Sequence, residues 1–448
     1  LKTRDNNNEE KSGNCRKQAE APLLVGDLRE QDILRKIFFG GIAISFIAML
    51  LGAFVSEGKF LTNAFHNFED DTFGDFYNSI GDGLNPYERG LIYPPLMYVI
   101  YGIIELCFPA DLRIDLVAIR TIQNVQILFL FYMIICIYAA AVVFRRIITE
   151  KGLLGYVLVF LTLVSYPMAF AYERGNSIII AMVCLSVFLM EYKREGVRKH
   201  IAFICLAVSA GIKIYPAIFG LLLIREKRWK DTIIAVIYGI VFFFGPFLFM
   251  SGESRNPLYL VKNILHTNND FSAIGYGWKI GTGALIRCFG QLVGMSHAGA
   301  IGTLVRLFLC TVGIVVVLLC KHAAQWQRFT ILSLVLIEIP DFSFVYMLIF
   351  MICPALMFLY DKERIENFNR GINKKRDFIY TALFTCCMIA FPVTEQSFFE
   401  SLADDYYKLN ILTIFEGITV LVFMIFILAD VIMNEWKCRV QSQTATVA

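Results

Sequence analysis

Apolar residues along this chain run in long unbroken stretches separated by short polar loops. The clearest runs are Ile37 to Phe54, Val125 to Phe144, Leu153 to Phe170, Ile233 to Met250, Leu304 to Cys320 and Ile411 to Ile432. Shorter ones are Ile92 to Phe108, Ile178 to Met190, Phe329 to Ile339, Phe344 to Tyr360 and Phe378 to Phe391. A hydrocarbon core of about 30 Å takes about 20 apolar residues per helical crossing. The pattern predicts an all-α integral membrane protein, a polytopic bundle of about eleven to thirteen hydrophobic segments, some short or re-entrant, with long extracytoplasmic loops.

Composition agrees. The chain is 57% hydrophobic and 18% charged, with a mean hydropathy of +0.61, whereas a soluble domain is roughly 45–50% apolar and about 25% charged. The formal net charge of +3 is too small to imply a nucleic-acid partner, and the cations lie in short loops instead of one patch. By the positive-inside rule the head from Lys2 to Lys36, the loops Arg145 to Lys151, Lys193 to His200, Arg225 to Lys230, Lys321 to Arg328 and Asp361 to Arg376, and the Trp436 to Arg439 tail face the cytoplasm. Both termini are therefore expected there. Ser56 to Tyr93, Ser251 to Ala298 and Glu395 to Asn410 are expected outside.

The first apolar run starts only at Ile37, so no cleavable signal peptide is expected and the first helix serves as the insertion signal. The twelve cysteines are scattered, mostly inside apolar runs and with no C-x-x-C pair, which fits buried small side chains better than a disulfide framework or zinc site. Residues 1–33 read as a flexible cytoplasmic tail, and 436–448 as a second tail. No soluble-sized module and no G-x-x-x-x-G-K-[ST] loop interrupts the hydrophobic segments. No duplicated halves are evident, which weighs against a transporter.

Two stretches have basic flanks at both ends yet too few residues for two crossings. Ile201 to Ile224 is broken by Lys213 and Pro216, and Phe329 to Tyr360 turns around Pro340 and Asp341. Proline interrupts the helical ladder, and a lysine at such a break needs a cavity or a partner. Between Tyr93 and Arg145 there are two apolar segments where the charge rule wants an odd number of crossings. One of them should not be a full span.

Chemistry is expected on the outward side. Asp70, Asp71 and Asp75 follow the first helix, and in a helical stretch Asp71 and Asp75 share a face at i, i+4, where mutual repulsion raises one pKa. A solvated acidic loop accommodates the same spacing. His66, Glu69, Asp70 and Asp71 lack recognisable metal-ligand spacing, so no metal or other cofactor is expected. Glu173, Arg174 and Asn176 in "YERGN" lie on a short outward turn, suited to a helix cap or to an anion or sugar site. Lys213, in "AGIKIYPAIF", is an intramembrane cation with little polar company, and pairing with Glu105, Glu338 or Asp341 is the structural alternative. Phe65, Phe68, Phe73, Phe76, Tyr77, Tyr87 and Tyr93 suit interfacial anchoring or stacking on a sugar. The second outward loop carries Asn263, His266, Asp270, Tyr276, Trp278 and Arg287. Its glycines suit a lid.

The order "DTFGDFYNSI", "NPYERGLIYPPL", "YERGN", "AGIKIYPAIFGLLLIREKRW" over roughly residues 60–230 resembles the polytopic glycosyltransferases of the C-type superfold, in particular family 87, with its mannosyl- and arabinofuranosyltransferases. The resemblance makes 34–230, with the loop 56–93, the catalytic module. It leaves 231–435, with the loop 251–298, as a variable distal membrane module. It implies Asp75 as catalytic base, with Asp71 as a second carboxylate. The family's R-G-N falls on Arg174, Gly175 and Asn176, and its K-x-Y-P on Lys213, Tyr215 and Pro216. Substrate contacts are then expected from Arg174, Asn176, Lys213, Tyr215, Tyr77, Tyr87, Tyr93, Glu173 and Asp341.

The implied donor is a polyprenyl-phosphate-linked sugar and the implied acceptor a glycan or glycolipid, met among membrane lipids. No metal is required. The Ile-, Phe- and Lys-rich chain suggests a bacterial plasma membrane. A lipid-linked glycan flippase and an envelope polysaccharide polymerase or ligase are the competing readings.

Overall fold

The computed structural model describes residues 27–65, 72–81, 86–106, 116–250, 256–273, 279–340, 342–393 and 411–447. Within them the protein is helical throughout, and an isolated antiparallel bridge between Lys279 and Phe344 is the single strand-like contact. Five helices are long and apolar enough to cross a membrane: Ile33–Val55, Gln123–Ile147, Trp229–Phe249, Ala298–Leu319 and Ile411–Gln443. Two bent pairs, Gly152–Leu163 with Tyr166–Arg174 and Val345–Leu359 with Lys362–Asn369, raise the number to seven if each pair is one span. This is a multi-pass membrane bundle of the kind expected for a C-type glycosyltransferase.

The distribution of apolar surface follows from the solvent being lipid. Trp229–Phe244 has no buried residue, and Ile233, Val236, Ile237, Ile240 and Val241 are all more than half exposed. A lipid-facing helix gains nothing by hiding such side chains. Gln325–Glu338 is the opposite case, with every residue from Phe329 to Glu338 buried. Ile178–Glu191 and Ile352–Leu359 pack with it as the inner layer. Several buried polar groups tie the helices together. The Ser45 hydroxyl donates to the Ala390 carbonyl at 2.7 Å and accepts from the Ala390 amide at 2.8 Å, joining the first helix to the segment after Lys374–Cys386. Glu150 joins Arg35, at 2.8 Å, to the Tyr360 hydroxyl.

The breaks fall where the sequence carries proline. The helix Gly152–Leu163 bends by 58° into Tyr166–Arg174, whose first turn contains Pro167. Val197–Ile212 stops at Lys213, and a 3-10 turn over Tyr215–Gly220 with Pro216 at its start leads into Leu221–Arg225. The Pro340 turn separates Gln325–Glu338 from Val345–Met351. Of the two apolar segments before Arg145, Pro95–Glu105 has 11 residues, which rise only about 16 Å. Gln123–Ile147, with 25 residues, is the one of the two long and apolar enough to cross a membrane.

The expected outward loops are partly helical. Lys59–Phe65 and Gly74–Gly81 occupy the first, and Asn256–Ala273 and Thr282–Leu292 occupy the second. The glycine-bearing connection between the last two falls mostly at 274–278, outside the described residues.

Candidate active site

Asp75 lies in the first turn of Gly74–Gly81, with its side chain 14% exposed. Its Oδ1 accepts from the Arg174 guanidinium at 3.0 Å and its Oδ2 from the Asn176 side-chain amide at 2.5 Å. Both donors come from one turn, and the local sequence explains why. Tyr166–Arg174 ends on Gly175 in the left-handed region, φ +62°. There the Gly175 amide donates to Tyr172 O and the Asn176 amide to Ala171 O, a Schellman arrangement that needs a residue tolerant of positive φ. The Asn176 side-chain carbonyl then accepts from the Ile178 amide at 2.8 Å, capping the next helix. With its oxygen so engaged, the NH2 group of Asn176 faces Asp75.

The Asp75 helix is seated against the same turn. Phe73 N donates to Glu173 O at 2.9 Å, and Arg120 donates to Thr72 O at 3.2 Å. Phe73 packs on Phe129 with ring centroids 4.4 Å apart, and Phe76 meets Tyr101, Phe129 and Tyr132. The aromatics expected at the membrane interface or on a sugar are therefore mostly internal packing: Phe65, Phe76, Tyr77 and Tyr87 are all buried. Their alternation with polar residues in the sequence reflects a short helix lying on a core.

Lys213 approaches from the break after Val197–Ile212. Its Nζ sits 3.9 Å from the ring centroid of Tyr93 and 5.9 Å from that of Tyr346, with Asp75 as a neighbouring charge. It is not paired with Glu338, whose carboxylate accepts from the Thr282 amide and, at 2.6 Å, from the Thr282 hydroxyl. Tyr93 is held through its backbone: its carbonyl accepts from the Tyr87 hydroxyl at 2.9 Å. Asn263 of Asn256–Ala273 donates to Tyr87 O at 2.8 Å and to Leu91 O at 3.0 Å, fixing this loop from the distal half of the chain. Burial raises the Tyr87 phenol pKa above its usual range, which keeps that hydroxyl a donor.

Tyr93, Lys213, Tyr215, Arg306 and Tyr346 line a cavity of about 590 Å³ with otherwise mostly apolar walls, including Phe243, Leu260 and Ile264. Tyr346 has Asp75, Arg174 and Asn176 as polar neighbours. The carboxylate cluster and the cavity thus share Tyr93, Lys213 and Tyr346.

Of the residues singled out in the sequence, Asp75, Arg174, Asn176, Lys213 and Tyr93 come together, and Tyr215 joins them across the cavity. Tyr87 acts on Tyr93 from behind. Tyr77 lies apart, under the Arg120 guanidinium at 5.6 Å and against Phe129. Glu173 contributes its carbonyl to the seat of the Asp75 helix. Asp71 and Asp341 lie outside the described residues, as do His66, Glu69 and Asp70. Among the described residues no three His, Cys, Asp or Glu side chains converge.

Arg306 and Tyr346 escaped the sequence reading. Arg306 donates to Ile339 O at 2.9 Å and to Glu338 O at 3.3 Å beside the cavity. A lone arginine in the apolar run "GTLVRLFLC" was the available signal, since an intramembrane cation marks a function by default. Tyr346, inside "FVYMLIF", carried none.

The sequence profile of glycosyltransferase family 87 matches residues 92–339, a little over half of the chain. The matched span holds Tyr93, Arg174, Asn176, Lys213 and Arg306, and begins after Asp75. No curated protein and no solved structure matches the chain. With a multi-pass helical fold and this match across its central half, the chain belongs to glycosyltransferase family 87.

Proposed function

We infer that the protein moves a single sugar, a mannose-like hexose or an arabinofuranose, from a polyprenyl-phosphate carrier to a hydroxyl of a cell-envelope glycan or glycolipid. The reaction takes place on the extracytoplasmic side of a bacterial plasma membrane, with both termini cytoplasmic. The observation that carries this reading is a carboxylate held by two donors beside a cavity whose mostly apolar lining includes the cations Lys213 and Arg306. Such a cavity suits a lipid-borne phosphate with its sugar.

Asp75 removes the acceptor hydroxyl proton as that oxygen attacks the anomeric carbon. The bond from that carbon to the phosphate oxygen breaks on the opposite face, its electron pair leaves with polyprenyl phosphate, and configuration inverts. General-base catalysis of this kind contributes about 10²–10⁴-fold. Once Asp75 is protonated it no longer neutralises Arg174, whose guanidinium then compensates the leaving phosphate together with Lys213. Well-placed donors of this type contribute roughly 3–4 kcal/mol each. Tyr215 and Tyr93 bound the sugar and phosphate, and Asn176 orients the base.

Transfer from synthetic polyprenyl-phosphate sugars, followed separately for Asp75→Asn and Asp71→Asn, tests the assignment. Loss of transfer in the Asp75 variant is expected. Full activity there would remove Asp75 from the base role.

A further inference from the structure

A second cavity, of about 530 Å³, opens at the other end of the central helix. Glu338 and Ile339 close Gln325–Glu338 at the candidate active site, whereas Gln325 and Trp326 open it at this second cavity. Thirteen residues of helical rise separate the two, about 20 Å. The site is therefore not an extension of the first.

Its walls are helix ends. Arg146 and Ile147 close the Gln123–Ile147 span, Met190 and Glu191 close Ile178–Glu191, and Tyr360 to Lys362 form the bend between Val345–Leu359 and Lys362–Asn369. Apolar helices that stop together mark the level of lipid headgroups. Trp326, held in edge-to-face contact with Phe358 at 4.7 Å and Tyr380 at 4.8 Å, gives one side a rigid amphipathic wall of the kind found at membrane interfaces. Ile147, Met190 and Met357 add apolar surface.

The rim is cationic. Arg146, Arg194, Arg198 and Lys362 face two carboxylates, Glu191 and Asp361, an excess of two positive charges. Glu191 is occupied by Arg146 at 2.8 Å and Arg194 at 3.9 Å, and Asp361 caps the Arg364 amide at 2.7 Å. Arg198 and Lys362 make no ion pair or hydrogen bond with a described residue. The N-terminal end of Gln325–Glu338 adds its partial positive charge.

We propose that this cavity binds the phosphodiester headgroup of an anionic glycerophospholipid as a bound, non-substrate lipid, with Arg198 and Lys362 as its counter-charges and Trp326 against its glycerol region. A lipid is favoured over a soluble anion because apolar side chains share the lining with the cations and the site lies at the end of the Gln123–Ile147 span. Each cation at such a surface strengthens binding to anionic lipid by roughly fivefold.

The test uses the full chain in detergent, titrated with phosphatidylglycerol or phosphatidylcholine, with bound lipid counted by native mass spectrometry. The wild-type protein should retain phosphatidylglycerol in preference to phosphatidylcholine. The double variant Arg198→Gln, Lys362→Gln should lose that preference by roughly tenfold or more. Both residues are exposed, and an unchanged melting curve confirms that the variant is folded. A matched pair outside the cavity, Lys375→Gln with Lys437→Gln, should retain the preference. Equal loss in both double variants, no loss in either, or displacement of the lipid by millimolar inorganic phosphate would overturn the proposal, the last assigning the cavity to a soluble anion.

Discussion

Replacing Gly175 by alanine tests whether the R-G-N turn sets the active-site geometry. A Cβ there would lie 2.9 Å from Phe76 Cβ and 3.0 Å from Phe129 Cε2, and Gly175 has φ +62°. The left-handed conformation alone costs a non-glycine residue about 1–2 kcal/mol. The clash is harder to relieve, because Phe76 Cβ is fixed to the backbone of the Asp75 helix. Restoring a carbon separation of about 3.5–4.0 Å requires that helix to retreat by about 0.6–1 Å. Crowding of this kind typically costs a further 1–3 kcal/mol or so. Asp75 is thereby drawn away from Arg174 and Asn176, which the backbone of the turn holds in place. A misplacement of about 1 Å costs on the order of 10²-fold in rate. Gly175→Ala should therefore lower kcat for sugar transfer by about 10–100-fold, with a smaller change in KM, and destabilise the protein by about 2–5 kcal/mol. Steady-state transfer assays paired with thermal unfolding in detergent measure both. Wild-type kcat in a variant with a normal melting curve would refute the idea that this turn positions the base.

Lys213→Met removes the cation over Tyr93 and should reduce kcat by about 10²–10³-fold, with Lys213→Arg retaining part of the rate; single-turnover transfer distinguishes this from a binding defect. Asn263→Ala deletes the two bonds that fix residues 87–91 from the distal half, each contributing about 1 kcal/mol. It should raise KM for the lipid donor while leaving kcat within a few-fold of wild type. Ser45→Ala strands the buried Ala390 amide, at a cost of about 1–3 kcal/mol. The melting temperature should fall while activity per folded molecule is kept.

The long apolar runs determined the fold class by themselves. Lipid offers no partner for an unpaired backbone amide, so runs of this length have to be helices. Lys213 with Pro216, and Pro340, announced their breaks for the same local reason, since proline ends a helical ladder wherever it stands. Motif order also singled out Asp75, the R-G-N turn and Lys213 as candidates. What it could not supply was their contact. Asp75 and Arg174 are 99 residues apart, and tertiary contacts bring the two segments to hydrogen-bonding distance: Phe73 N on Glu173 O, and Phe73 and Phe76 packed against Phe129. The same reason separates Tyr77 from the cluster although it is two residues from Asp75: on a helix, residues at i and i+2 do not share a face. Asn263, Arg306 and Tyr346 reach the site from a half of the chain where the motifs had faded, and their roles depend on which carbonyls and rings the tertiary fold sets before them. Hydropathy and proline act through the nearest few residues and so can be read along the chain. A candidate site assembled from a short helix, a left-handed glycine turn and a broken helix is decided by long-range packing, which no local pattern encodes.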